Sequence, residues 1–131
     1  MNSDQNPKRP RAQPVEPSAR GGPWRERFLI KSNGHIYFIR AKDIDWCRSC
    51  GNYVHLQVGT AAHLIRVTLD RFKNGLNPKQ FVQVHRTTIV NLDRIHKLQP
   101  ATNGEYIIFL HDTTRLTLSR GYRERLLGTA E

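Results

Sequence analysis

The sequence FVQVHRTTIVNL, residues 81–92, places four polar or basic residues between two apolar halves. Apolar and polar side chains alternate from Val82 onward, which predicts a strand with one face in the core. The apolar character resumes at Ile89, so residues 85–88 predict a loop flanked by two apolar strands. The side chains expected to anchor this turn in the core are Phe81, Val84, Ile89 and Val90.

Arg86 carries the most distinctive chemistry of this polar tetrad. Its guanidinium is a planar fork of donors that fits the O6 and N7 atoms of guanine or a phosphate group, and neighbouring hydroxyl groups bind phosphate oxygens. Two anchored strands would hold the turn rigidly and present the tetrad to a ligand. The structural alternative is a solvated turn in which Thr87 or Thr88 caps a short helical turn and His85 packs at the edge of a sheet.

The length and charge of the chain restrict the class of protein. With 131 residues, of which 37% are hydrophobic, the chain has room for one domain with a modest core. It contains 21 Lys and Arg against 11 Asp and Glu, which gives a net charge of +10. Charge of this size attracts polyanions over long distances, so nucleic acid is the first expected partner and an anionic membrane surface the second.

The sequence lacks the patterns of membrane and secreted proteins. No apolar run approaches the roughly 20 residues that a spanning helix needs, and the N-terminus lacks the apolar core of a signal peptide. We therefore expect a cytoplasmic protein with no membrane partner. Cys47 and Cys50 are too few and too close to staple a secreted fold. Residues three apart in a strand face opposite sides, so both are interpreted as structural or incidental, with a redox-sensitive pair as the alternative.

The chain divides into an N-terminal arm and one folded domain. Residues 1–25 contain five of the seven prolines and almost no apolar residue before Trp24. Such a segment cannot bury enough surface to offset its ordering entropy, so we expect a disordered basic arm followed by a domain over residues 26–131. Deletion of residues 1–24 should then leave the melting transition intact.

Short β-type runs separated by turn residues fill the folded part. RFLIK and HIYFIR are separated by an Asn-Gly pair at residues 33–34, which is the strongest short hairpin signal. A Gly-Asn pair at residues 51–52 and a second Asn-Gly pair at residues 103–104 separate further runs. We expect antiparallel strands joined by tight turns.

Two short helices complete the expected fold. The first covers about residues 69–75, capped by Thr68 or Asp70, and the second lies near residues 122–127. The expected fold class is mainly β, a sandwich or stack of antiparallel sheets with one or two short helices.

TLSRGYRER, residues 117–125, is a second basic and polar segment. Ser119 and Arg120 follow a strand, Gly121 frees the backbone, and Arg123 begins a helix. A charged terminal helix is usually a solvated face. Residues 85–88 and residues 117–125 each place an arginine beside a hydroxyl group at the end of a strand. We therefore interpret them as two projecting loops that contact the same ligand.

Three segments together, FVQVHRTTIVNLDRIHKL, LTLSRGYRERL and the upstream DIDWCRSCGNYVHL, resemble the LytTR family of bacterial DNA-binding domains. The resemblance covers about residues 28–127, nearly everything outside the arm. It implies stacked, mostly antiparallel sheets whose loops, rather than a recognition helix, reach into successive major grooves and bend the DNA. It also implies a bacterial transcriptional regulator.

The DNA-contacting loops of that family fall on three parts of this chain. Carried over position by position, they are Asn52 and Tyr53, then His85, Arg86 and Thr87, and then Ser119, Arg120 and Arg123.

The resemblance also bears on the partners. We expect double-stranded DNA with repeated half-sites, bound by two copies of the chain on one face of the duplex, and a regulatory protein is a further partner to consider. Family members often carry a receiver domain or membrane segments, and this sequence shows neither. With the initiating Met1, this favours a free-standing regulator over a fragment.

The sequence nominates no catalytic, metal or cofactor site. It has no GxSxG, P-loop or GxGxxG motif, and its close carboxylate pair, Asp43 and Asp45, has no cleft motif around it. The six histidines lack ligand spacing, and zinc needs four ligands where Cys47 and Cys50 supply two. We therefore expect a protein that is not an enzyme and uses no cofactor.

Two other functions fit a small basic β domain. A binder of single-stranded nucleic acid or RNA would stack bases on aromatic rings that share one exposed sheet face. The candidate rings are Tyr37, Trp46, Tyr53 and Tyr106. A protein-interaction module would instead recruit a partner through its edge strands, and it would bind DNA weakly with little dependence on salt.

Overall fold

Eleven strands and two short helices make up the part of the chain that a computed structural model describes, residues 13–14 and 24–128. The strands are β1 (Gln13–Pro14), β2 (Arg27–Ser32), β3 (His35–Arg40), β4 (Trp46–Cys50), β5 (Tyr53–Val58), β6 (Ala61–Ile65), β7 (Phe81–His85), β8 (Thr88–Asn91), β9 (Ile95–Pro100), β10 (Tyr106–Leu110) and β11 (Arg115–Leu118). The helices are α1 (Leu69–Lys73) and α2 (Arg123–Leu127). Short 3-10 turns lie at Ala41–Asp43, Leu92–Arg94, Thr102–Gly104 and Arg120–Tyr122.

The strands form three antiparallel sheets. The first has the order β1-β2-β3, the central sheet β6-β5-β4-β8-β7, and the third β11-β10-β9. Side chains of the central sheet point alternately to its two faces. Cys47 and Ile89 pack in a first core with residues of β2 and β3, whereas Trp46 and Val90 pack in a second core with residues of β10 and β11. The expected stack of antiparallel sheets with short helices is confirmed.

The stretch 81–92 forms the β7–β8 hairpin and contributes to both cores. Phe81 and Ile89 lie in the first core, and Val84 and Val90 lie in the second. All four are buried, as predicted. Burial of a side chain of this size contributes about 1.5–3 kcal/mol. The turn between the two strands is therefore held from both faces of the sheet.

The two Asn-Gly pairs form the predicted tight turns. Asn33 and Gly34 have φ angles of 54° and 80°, and Asn103 and Gly104 have φ angles of 58° and 79°. Asparagine and glycine tolerate this left-handed backbone better than other residues do.

Both helices are present, with shorter bounds than expected. Thr68 rather than Asp70 caps α1, because the Oγ1 atom of Thr68 accepts a hydrogen bond from the Arg71 N–H at 3.1 Å. Helix α1 ends at Lys73 rather than at about residue 75, and α2 begins at Arg123.

Cys47 and Cys50 face opposite sides of β4, as the strand geometry predicts. Cys47 is fully buried in the first core and Cys50 is exposed, and both are free thiols. Burial raises the pKa of the Cys47 thiol far above its ordinary value. Cys47 therefore behaves as a small apolar side chain and not as a reactive thiol.

Two residues of the expected arm belong to the first sheet. Gln13 and Pro14 pair with Leu29 and Phe28 at the edge of β2. The rest of the expected arm, residues 1–12 and 15–23, lies outside the described residues. Trp24 is half-buried and lines a cleft together with Leu76 and Phe81.

A chain that begins at Trp24 is expected to melt at nearly the temperature of the full chain. The described part of the deleted segment is a two-residue strand at a sheet edge, which adds little buried surface. Thermal unfolding followed by circular dichroism measures this. Because Trp24 is half-buried beside Leu76 and Phe81, a chain that also lacks Trp24 should melt at a lower temperature, which corrects the expectation from the sequence that residues 1–24 can be removed without effect. A large loss of thermal stability in the chain that begins at Trp24 would show that the arm contributes to the fold.

His63 is expected to make the stability of the domain depend on pH. It is buried on β6 with its ring 4.6 Å from that of Tyr37, and burial lowers its pKa below the ordinary value of 6.5. As the pH falls below 6.5, His63 therefore takes up a proton more readily in the unfolded chain than in the folded one. The free energy of unfolding decreases accordingly. Urea unfolding at about pH 7.5 and about pH 5 measures the loss. His63→Gln should show a smaller loss, and an equal loss in both proteins would contradict the assignment to His63.

Candidate nucleic-acid interface

The three segments expected to contact DNA lie at one end of the central sheet. Arg48 and Thr88 are opposite each other in the β4–β8 ladder, and the Ser49 N–H donates to the Thr87 carbonyl at 2.9 Å. These contacts bring the β4–β5 turn beside the β7–β8 turn. The Ser119 N–H donates to the Val84 carbonyl at 2.9 Å, which brings the end of β11 to the same place.

The β7–β8 turn exposes Arg86 and fixes its neighbours. The His85 Nδ1 atom accepts a hydrogen bond from the Thr87 N–H at 3.2 Å and lies 2.9 Å from the Thr87 Oγ1. His85 and Thr87 are half-buried, whereas Arg86 is exposed at the tip. The Gln83 amide also donates to the Arg86 carbonyl at 3.4 Å. The backbone that carries the guanidinium is therefore held on both sides.

Thr88 is the one member of the tetrad that is not presented to solvent. It is the first residue of β8 and is only 4% exposed, opposite Arg48 and His85 in the two neighbouring ladders. The expectation that the whole tetrad faces a ligand is wrong at this position, because the strand resumes one residue earlier than the polar pattern suggests.

Arg120 and Arg123 lie against the turn between β9 and β10. A Cβ atom added to Gly104 would come within 2.9 Å of the Arg120 Cδ and 3.2 Å of the Arg123 Nη1, and the Arg123 Nη1 donates to the Gly104 carbonyl at 3.4 Å. Glycine at this position therefore lets the two arginine side chains lie across the turn. Arg120 is exposed, and Ser119 and Arg123 are half-buried.

Within residues 13–14 and 24–128, neither Arg86 nor Arg120 forms an ion pair. The ion pair found among the described residues joins Arg94 to Asp45 at 2.6 Å. It lies at the end of the central sheet remote from the β7–β8 turn. A guanidinium at the surface offers several N–H donors to an external acceptor.

The β4–β5 turn forms one wall of a groove that the sequence did not predict. Asn52 and Tyr53 are exposed, and they line a groove of about 490 Å³ together with Arg66 and Arg71. Val54 pairs with Ile65 in the β5–β6 ladder, so the end of β6 lies beside the start of β5. Arg66 follows β6 directly. An arginine shortly after a strand is the same sequence signal that identified Arg120.

Asn91 fixes the other end of the β7–β8 hairpin. It is fully buried, and its Nδ2 atom donates to the carbonyls of Lys42 and Ile44 at 3.1 and 2.8 Å. Its Oδ1 atom accepts hydrogen bonds from Gln80 Nε2 at 2.6 Å and from the Asp93 N–H at 2.9 Å. The hairpin is thereby tied to the segment that precedes β4.

The exposed aromatic rings do not form a common stacking surface. Tyr53 lies on β5 of the central sheet and Tyr37 on β3 of the first sheet. Trp46 is buried, with its ring stacked on that of His55 at 5.0 Å, and Tyr106 packs against the second core. The requirement for stacking single-stranded bases on one exposed sheet face is not met by these rings.

The described residues offer neither a cluster for a metal ion nor a helix able to span a bilayer. No three His, Cys, Asp or Glu side chains in residues 13–14 and 24–128 converge as metal ligands. No helix in the same part of the chain is both long and apolar enough to cross a membrane. Asp45, one of the two close carboxylates in the sequence, accepts the Gly59 N–H and pairs with Arg94, so its role is structural.

Comparison with known families gives a match over most of the chain. A family model described as the LytTr DNA-binding domain matches residues 34–129. Among solved structures, the chain is similar to the LytTr DNA-binding domain of a Bacillus cereus protein described as a methyl-accepting/DNA response regulator, with a TM-score of 0.75 and 15% identity. The similarity covers 81% of this chain and 97% of that one, and at this identity it concerns the fold.

Two relatives are named as a sensory transduction protein and as a transcriptional regulatory protein. The chain is 24% identical over 100 residues to the sensory transduction protein LytT of Bacillus subtilis (strain 168), which covers 76% of this chain and 42% of the relative. It is 28% identical over 67 residues to the transcriptional regulatory protein LytR of Staphylococcus aureus (strain N315), which covers 50% of this chain and 27% of the relative. The chain thus spans less than half the length of these curated relatives.

Proposed function

The chain belongs to the LytTR family of DNA-binding domains, and on that premise we propose that it recognises specific double-stranded DNA with turns inserted into the major groove. The turns are those at residues 51–53, 85–87 and 119–123. We further propose that it acts as a transcriptional regulator in the bacterial cytoplasm, as the name of its Staphylococcus aureus relative suggests, and that it is not an enzyme.

The convergence of arginine side chains at one end of a rigid stack of sheets carries this proposal. Arg86 and Arg120 come from strands far apart in the chain, yet backbone hydrogen bonds through Thr87 and Val84 hold their turns at the same end. A duplex presents successive grooves along its axis, so turns at one end of a rigid body can reach more than one groove. The two exposed guanidinium groups supply the hydrogen-bond donors that guanine and phosphate accept.

The proposed roles of the individual residues follow from their exposure. Arg86 and Arg120, which are exposed, reach base edges. The half-buried Thr87 and Ser119 contact phosphate through their hydroxyl groups, and His85 sets the shape of the turn through its hydrogen bond from the Thr87 N–H.

The groove beside the β4–β5 turn extends the proposed contact to the flanking backbone. Asn52 and Tyr53 supply polar groups at its rim, and Arg66 and Arg71 supply positive charge. Together with Arg123, these two arginines hold phosphate groups and fix the register of the domain on the duplex.

Two copies of the chain are proposed to bind repeated half-sites on one face of the DNA. One domain of this size covers a short site, and a second copy adds specificity because two half-sites at a fixed spacing specify more base pairs than one. A regulatory partner protein adds a further level of control.

Selection of genomic fragments with the purified protein, followed by competition, tests the proposed function. We expect the selected duplex to compete far better than either of its single strands. The affinity should fall steeply with salt, by about 0.9 in the slope of log K against log salt for each phosphate contact. Equal competition by a single strand would favour the stacking function, and weak binding that is insensitive to salt would favour a protein-interaction module.

A further inference from the structure

The outward face of the first sheet combines apolar and basic side chains. Phe28, Ile30 and Ile39 point inward to the first core, so their neighbours along β2 and β3 point away from it. This outer face consists of Leu29, Ile36, Phe38, Arg27, Lys31 and Arg40. The register places Leu29 opposite Phe38, Lys31 opposite Ile36 and Arg27 opposite Arg40.

The apolar centre of the outer face is unusually exposed for a folded domain. Phe38 is 72% exposed and Ile36 is 54% exposed. Single exposed apolar residues are common, but neighbouring ones rimmed by charged residues typically mark an interaction site. Phenylalanine is also among the residue types enriched in protein interfaces.

The charges of the outer face point to the chemistry of its partner. Arg27 and Arg40 are directly opposite each other, and like charges at opposed positions of a ladder are unfavourable. Among the described residues neither takes part in an ion pair. An incoming carboxylate would relieve the repulsion between the two guanidinium groups and bind both.

Three other occupants fit this face less well. A second copy would bring six basic side chains together in a chain that already carries +10. Residues 1–23 contain four basic and two acidic residues and few apolar ones, and Gln13 and Pro14 pair beside the face, at the edge of β2. Nucleic acid would use the arginines and leave Phe38 and Ile36 against water.

We propose that the outer face is a docking site for an acidic segment of a partner protein that also carries apolar side chains. The carboxylates of that segment bind Arg27 and Arg40, and its apolar side chains cover Phe38, Ile36 and Leu29. The remaining cation, Lys31, extends the basic rim next to Ile36.

The docking site is separate from the proposed DNA interface, so both can be occupied together. The β2–β3 ladder ends at Arg27 and Arg40, next to the turn Ala41–Asp43. The Lys42 carbonyl in that turn binds Asn91 at the end of β8 remote from the β7–β8 turn. A partner on this face therefore leaves Arg86 and Arg120 accessible to a duplex.

Titration with synthetic peptides, monitored by chemical shifts of the isotopically labelled full chain, tests this proposal. The probe peptide alternates glutamate with leucine. One control peptide replaces leucine with serine, and another replaces glutamate with lysine. We expect saturable shift changes confined to β2 and β3 for the probe peptide, and at least tenfold weaker binding, about 1.4 kcal/mol, for each control peptide.

Substitutions on and away from the outer face test whether the probe peptide binds there. Phe38→Ser and Arg40→Glu should each weaken the probe peptide at least about tenfold while the melting temperature and DNA affinity stay unchanged. Leu64→Ser removes an apolar side chain with similar exposure on another sheet, and it should leave peptide binding unchanged. Because DNA binding is measured in the same variants, a failure of docking is distinguishable from a failure of the proposed function.

Four outcomes would overturn the proposal. The first is the absence of saturable peptide binding, and the second is a set of shift changes centred on residues 51–53, 85–87 and 119–123. The third is a dimer in sedimentation that Phe38→Ser abolishes. The fourth is binding of this face to vesicles containing phosphatidylglycerol without binding to the peptide. The second would mean that the peptide imitates DNA, the third that a second copy occupies the face, and the fourth that a lipid surface does.

Discussion

Replacing Arg86 with alanine is expected to weaken specific DNA binding by about 1–3 kcal/mol, roughly fivefold to 150-fold. The guanidinium lies at the exposed tip of a turn whose backbone is fixed by His85, Thr87 and Gln83. The substitution therefore removes the fork of donors and leaves the turn in place. The same loss is expected for Arg120→Ala, because Arg120 is exposed at the same end.

The variant Arg115→Ala provides the matched control for charge. Arg115 is exposed at the start of β11, and its guanidinium lies over the ring of Phe109, 5.2 Å from the ring centre. It lies at the other end of the strand from Ser119, so its loss should leave specific affinity nearly unchanged. Competition binding with the selected duplex, with single base changes and at two salt concentrations, measures all three variants.

The sequence discrimination and the salt dependence of Arg86→Ala show whether Arg86 contacts a base or a phosphate. If Arg86 reads a base, the variant should lose discrimination at one position of the site and keep nearly the same salt dependence. Uniform weakening over all sequences with a smaller salt slope would instead assign Arg86 to phosphate. Unchanged protection of the site by both Arg86→Ala and Arg120→Ala would contradict the proposed interface.

Replacing Asn91 with alanine is expected to lower the free energy of unfolding by about 3–5 kcal/mol, because buried groups that lose a partner each cost about 1–3 kcal/mol. The side chain of Asn91 is fully buried and makes four hydrogen bonds, two of them to the carbonyls of Lys42 and Ile44. Alanine would leave both carbonyls without this donor and create a small cavity. Domains of this size are stable by only about 5–15 kcal/mol in total.

Urea unfolding of Asn91→Ala and of a matched asparagine variant tests this expectation. Asn77 is half-buried, and the one hydrogen bond of its side chain in the described part of the chain is from the Lys79 N–H at 2.9 Å. Asn77→Ala should therefore cost only about 1 kcal/mol. Equal losses in the two variants would show that Asn91 does not tie the hairpin to the segment before β4.

Local patterns in the sequence predicted most of the strands, both helices and the tight turns. Alternation in residues 81–92 predicted a polar turn flanked by apolar strands, with Phe81 and Val84 buried, and both are buried. The Asn-Gly pairs predicted turns with positive φ, and Thr68 was among the predicted caps. These features depend on interactions within a few residues, which a sequence displays directly.

Features that depend on distant partners were missed or misplaced. Thr88 looks like a turn residue, yet pairing with β4 extends β8 over it and buries it. Arg66 and Arg71 gain their place beside Tyr53 only because β5 and β6 are paired. Asn91 gave no local sign of its bonds to Lys42 and Ile44, which lie 49 and 47 residues away.

By itself, the sequence determined a basic, mainly β domain with two arginine-bearing segments that each follow a strand, because side-chain periodicity and turn chemistry are local. Only the tertiary structure decided that these segments share one end, since that follows from hydrogen bonds such as Ser119 to Val84 and Ser49 to Thr87. It also decided that Phe38 and Ile36 face outward without cover. Hydrophobic residues on a strand can face either a core or a partner, and the difference depends on which sheets pack together in space.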